Sequence, residues 1–144
     1  MCDILKEKKE FLKSKFSFLI SNGFTYLGKE ETNIILIYSY KKDDLILTVS
    51  FDIREHIISI NLRDINNHDV VNLLTNILDS KIGDEEARET LKVSIQRIYK
   101  ESEKYKYGMI KEHFESIILL YVDFIEKNIG EITRWKYKKK SNRY

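Results

Sequence analysis

From Leu45 to Ile53 every odd position is apolar and most even positions are polar, with Leu45, Leu47, Val49, Phe51 and Ile53 set against Thr48, Ser50 and Asp52. A period of two predicts a strand with one buried face and one wet face. Strong strand formers lie on either side. Phe24-Thr25-Tyr26-Leu27 reads as a short strand and Asn33 to Tyr40 as a longer one, with Lys41-Lys42-Asp43-Asp44 as the turn into the alternating segment. After Arg54-Glu55-His56, the residues Ile58, Ile60 and Leu62 form the next inward row. Four antiparallel strands in meander order are the expectation.

The period is helical on both sides of this block. Ile4, Leu5, Phe11, Leu12, Phe16, Leu19 and Ile20 predict a helix over residues 3–21, closed by Asn22-Gly23. From Asn67 onward, Val70, Leu73, Leu74, Ile77 and Leu78 form a stripe that ends near Ile82-Gly83. Asp84 is then the expected N-cap of a long helix bearing Leu91, Ile95, Ile98 and Tyr105 on one face. Tyr105-Lys106-Tyr107-Gly108 should break it. A last helix over residues 109–128 is apolar almost all round from Ile117 to Val122, so it is either central or covered. The expected fold is α+β: an N-terminal helix, a four-stranded antiparallel sheet, then two or three helices packed on one sheet face.

At 144 residues, 42% hydrophobic and 33% charged, the chain suits one folded domain. Its net charge of +2 is unevenly spread. Residues 131–144 carry Arg134, Lys136, Lys138, Lys139, Lys140 and Arg143 against Glu131 alone, a net of +5, which leaves −3 on residues 1–130. The expected division is therefore a body over 1–130 and a basic, aromatic tail over 131–144. Cys2 is the sole cysteine and the first thirty residues mix lysine and glutamate with apolar positions, so neither a disulfide scaffold nor a signal peptide is expected. No apolar run approaches the length of a membrane span. The cytoplasm is the expected compartment.

Few residues suggest chemistry. His56, His68 and His113 have no second histidine or cysteine at ligand spacing, and Glu112-His113-Phe114-Glu115 lacks the companion motif of a di-metal site. Neither metal nor cofactor is expected. Asp52, Arg54, Glu55 and His56 crowd one strand end and offer enough ionisable variety for acid–base work, but charged turns are ordinary and proximity does not supply catalytic geometry. In the tail, Arg134, Trp135, Lys136, Tyr137, Lys138, Lys139, Lys140 and Arg143 interleave aromatics with cations, a pattern able to neutralise phosphates and stack on bases. A solvated chain end explains the same residues, and the acidic body does not favour nucleic acid. A nucleic-acid module is thus the second reading, and an enzyme assembled from distant residues the third.

The order of helix, meander and helices, with Phe16-Ser17-Phe18-Leu19-Ile20-Ser21-Asn22-Gly23-Phe24 leading into the sheet and Val49-Ser50-Phe51-Asp52-Ile53-Arg54 within it, resembles small α+β immunity proteins of bacterial polymorphic-toxin and contact-dependent inhibition systems. The resemblance covers residues 11–63. It implies a cytoplasmic, non-enzymatic protein that binds one cognate toxin domain and occludes its active site, and it transfers no residue role. The sequence itself adds candidates. Glu30, Glu31, Asp43, Asp44 and Asp52 would set carboxylates at strand ends and on the wet face, where they would steer a cationic partner. Tyr38 and Tyr40, with Tyr26, would serve as contact anchors if exposed, and as core residues if they pack under the first helix.

Overall fold

The computed structural model describes residues 2–66 and 69–135. The expected N-terminal helix is two helices, α1 (Cys2–Lys15) and α2 (Phe18–Ser21). The break follows from local competition for backbone groups, since the Ser17 hydroxyl donates to the Ser14 carbonyl at 2.7 Å. Asn22 then closes α2 by donating from its amide to the Phe18 carbonyl at 2.9 Å, and Gly23 at φ 93° turns the chain into the sheet.

Five strands follow: β1 (Thr25–Glu31), β2 (Ile35–Lys42), β3 (Leu45–Asp52), β4 (Ile57–Asp64) and β5 (Val70–Asn72). They lie in sequence order and every pair is antiparallel. Three turns are set by short polar side chains. The Thr32 hydroxyl accepts from Ile34 N and Ile35 N, both at 3.1 Å. Asp43 takes φ 54° in the two-residue loop between β2 and β3. Asp52 Oδ1 accepts from Arg54 N at 3.1 Å and Glu55 N at 2.8 Å, while His56 at φ 58° finishes the next turn.

β5 is the fifth strand where four were expected. Its three residues are too few to display a period of two, and Val70 also continues the helical stripe that follows. The helix proper, α3 (Leu73–Asp79), starts at Asn72, whose side chain accepts from Thr75 N at 3.1 Å. Then come α4 (Glu85–Gly108), α5 (Lys111–Lys127) and α6 (Ile129–Thr133). Asp84 caps α4 as anticipated, accepting from Ala87 N at 3.1 Å. The expected boundary after residue 130 falls inside α6, where Ile132 is fully buried and Trp135 packs against the core.

The helices cover one sheet face. Leu36, Tyr38 and Tyr40 of β2, Leu47, Val49 and Phe51 of β3, and Ile58, Ile60 and Leu62 of β4 form the floor of the core. α5 is the central helix, burying Phe114, Ile117, Ile118 and Tyr121 between α4 and α1, which explains its nearly continuous apolar block. Phe114 meets Phe11, Phe51 and Tyr105 at ring-centroid distances of 6.5, 5.3 and 5.4 Å. Lys8 enters the same cluster. Its Nζ donates to the Tyr105 hydroxyl at 2.9 Å and lies 5.3–5.9 Å from three ring centres.

Candidate partner-binding face

Directly paired residues of an antiparallel sheet point to the same side, so the register fixes the opposite face row by row. The row nearest the β2–β3 loop reads Thr25, Lys41, Ile46, Arg63 and Val70 across the five strands. The next reads Gly28, Ser39, Thr48, Asn61 and Asn72. The third reads Glu30, Ile37, Ser50 and Ser59, and the last Ile35, Asp52 and Ile57. Short hydroxyl and amide side chains thus occupy the middle rows on β3 and β4, with Glu30 and Ile37 beside them on β1 and β2.

Both ends of the face carry mixed charge, since exposed Asp43 and Asp44 flank the first row and exposed Arg54 and Glu55 flank the last. Lys41 and Arg63 stand at one end, Glu30 and Asp52 toward the other. Ile46 lies between the two cations and is only 5% exposed, although it stands outside the core cluster on the uncovered face. The aliphatic stems of its row neighbours account for such shielding. Ile57 and Val70 remain exposed at 42% and 58%.

The structure distributes the expected contact residues unevenly. Glu30 and Asp52 share the open face, and Asp43 and Asp44 are exposed in the hairpin loop. Glu31 pairs with Leu36 and so points to the covered side. It forms ion pairs with Lys9 and, at 3.4 Å, Lys29, and the Lys9 hydrogen bond holds its carboxyl below the usual range. Tyr38 and Tyr40 are a correction. Both lie on the covered face and are buried, at 3% and 1% exposure, with Tyr26 packed against them, so neither offers contact area. Burial pushes the Tyr38 hydroxyl up to about 12 and raises that of Tyr40 further.

The residues that sequence reasoning missed are the cations Lys41 and Arg63 and the isoleucines at both ends of the face. A signal for them existed. Once Leu47, Val49 and Phe51 are assigned inward, their neighbours at even positions must face out, and the pairing carries that assignment to β2 and β4.

Other clusters do not converge on a site. Asp52 is engaged by its own turn, and the His56 ring stands edge-on to Tyr105 at 5.8 Å. His113 Nδ1 lies 3.0 Å from Glu101 Oε2; burial acts to raise the Glu101 carboxyl, but the bonds from His113 and Lys104 outweigh it and the net shift is downward. Among the described residues no group of three or more histidine, cysteine or acidic side chains could hold a metal ion; His68 lies outside them. A groove of about 440 Å³ between α4 and α5 has Leu91 and Phe124 among its lining, with Lys81 and Lys127 at its rim already paired to Glu131 and Asp123.

Of the tail, Arg134 lies 3.8 Å from Glu131 and Trp135 is partly buried against the core. Lys136, Tyr137, Lys138, Lys139, Lys140 and Arg143 lie outside the described residues. No helix among the described residues is long and apolar enough to cross a membrane. Comparison with protein-family models, curated proteins and solved structures finds no match to this chain.

Proposed function

We propose that this chain is a non-enzymatic protein-binding inhibitor of the immunity type, acting in the cytoplasm on a cognate bacterial toxin domain whose active site it occludes. One observation carries the reading: the sheet face left open by the helices, where short polar side chains are interspersed with isoleucines and charged residues. A flat surface of this kind suits a macromolecule better than a small molecule, which needs a concave site. The carboxylates Glu30, Asp43, Asp44 and Asp52 supply the electrostatic steering that a basic toxin surface would exploit.

The test starts from the neighbouring reading frame. Where it encodes a secreted protein with a variable C-terminal domain, that domain should co-purify with this chain and lose its toxicity. Ile37→Asp, in the open face, should weaken the complex by about tenfold or more, while Val93→Asp on α4 should leave it intact. Failure of the two proteins to associate would remove the reading.

A further inference from the structure

We propose that Lys8 is an acylation site, where Nζ takes a small activated acyl group, of the acyl phosphate class, ahead of the other lysines of the chain. The geometry around it is unlike that of a surface lysine. Nζ lies 5.3–5.9 Å from the ring centres of Phe51, Tyr105 and Phe114, and it is hydrogen-bonded to the Tyr105 hydroxyl at 2.9 Å. Among the described residues no carboxylate forms an ion pair with it. Glu7 and Glu115 line a crevice beside Lys8, but both are paired to Lys111, at 3.4 and 3.9 Å. His56 meets the Tyr105 ring edge-on at 5.8 Å and forms no bond to Nζ.

These surroundings favour the neutral amine. An ammonium that exchanges water for aromatic rings, and gains no counter-charge, recovers from the ring faces only part of the hydration it gives up. Burial accordingly lowers the Lys8 pKa. Tyr105 acts in the same direction. Its side chain is fully buried, and Nζ is the hydrogen-bond partner of its hydroxyl. An ammonium can only donate, so it satisfies the phenol oxygen and leaves the phenol proton without an acceptor; a neutral amine accepts from that O–H.

The lone pair of the neutral amine is the nucleophile. It attacks the carbonyl carbon of the acyl phosphate, the N–C bond forms and the C–O bond to phosphate breaks. Inorganic phosphate leaves with the electron pair and the amine proton passes to solvent, with no change of oxidation state. The product suits the site. An amide leaves no ion among the rings, its N–H still donates to Tyr105, and its carbonyl is an acceptor that the ammonium lacked. Lys8 is half-buried and stays open to a reagent, while the adjoining crevice, of about 10 Å³, restricts the acyl group to a small one. The inference does not rest on what the open sheet face binds.

Site-resolved mass spectrometry of the full-length protein treated with acetyl phosphate decides it. At about pH 7.5, Lys8 should acetylate about threefold or more faster than Lys6 and Lys100, which are exposed on α1 and α4. The lead should shrink as pH approaches about 10, where the exposed lysines also lose their protons. It should vanish in about 8 M urea, which separates an effect of the fold from one of the local sequence. Lys8→Arg, which keeps the cation, should remove the fastest lysine acetylation while circular dichroism reports an unchanged fold. A Lys8 no faster than Lys6 and Lys100 in the folded protein, or a lead that persists in urea, overturns the proposal; neither outcome depends on a variant that folds.

Discussion

Met109 ends α4 in the left-handed conformation, at φ 56° and ψ 28°, while Gly108, the residue better suited to it, remains one position inside the helix. An L side chain there carries a steric cost that glycine does not. Met109 is 55% exposed, so little packing is lost on replacement. Met109→Gly should therefore raise stability by about 0.5–1 kcal/mol, read from the urea midpoint. Phe114 is the opposite case, fully buried among three rings. Phe114→Ala should cost about 3–5 kcal/mol in the same measurement. The two tyrosines show where residue-level reading stops. On β2 both alternating sets, Ile35 with Ile37 and Tyr38 with Tyr40, are plausible inward rows, so composition alone does not choose. The partner strand does, because Tyr38 sits opposite Val49 and Tyr40 opposite Leu47.

Among the elements, α4 has the clearest local specification. Asp84 caps it, Glu85 and Glu86 favour its N-terminal dipole, and Leu91, Ile95, Ile98 and Tyr105 bury one face. Asp84→Ala should cost about 1 kcal/mol, measured by denaturant unfolding. Such caps and periods made α4, α5 and the central strands legible in the sequence. The elements that were not legible are short ones whose state is decided by contacts distant in sequence. β5 exists because Val71 pairs with Leu62 and Val70 with Arg63, and α6 because Ile132 finds a place in the core. The open face was legible as a wet surface. Its row pattern was not, since Lys41 and Arg63 become neighbours of Ile46 only when three strands align. At the free edge, the irregularity between Tyr26 and Gly28 and the charged run Lys29-Glu30-Glu31 discourage further strands from pairing with β1.

For the whole molecule, the buried tyrosines set the alkaline limit. Burial raises the hydroxyls of Tyr38 and Tyr105 from 10.0 to about 12 and those of Tyr40 and Tyr121 further. The unfolded chain releases these protons first, so the stability they contribute is complete below about pH 10 and is lost as pH rises through the folded values. Lys8 acts in the other direction, because burial lowers its pKa, but it is one group against these four and Tyr26, which burial also raises. Urea midpoints should be level up to about pH 9.5 and then fall steeply toward pH 12, with a final step in tyrosinate absorbance at 295 nm, that of the buried tyrosines, appearing together with unfolding. A tyrosinate signal that is complete before unfolding begins would contradict this.

The serial order of the sheet bears on how the chain leaves the ribosome. Each of the five strands pairs with its neighbour in sequence, so hairpins can close one after another as synthesis proceeds, with little loop entropy to overcome. α5, which fills the centre of the core, emerges only after all of them. Until then the nascent sheet holds Phe51, Ile60 and Leu62 bare to solvent, and a translation product truncated at Gly108 should precipitate or be captured by chaperones.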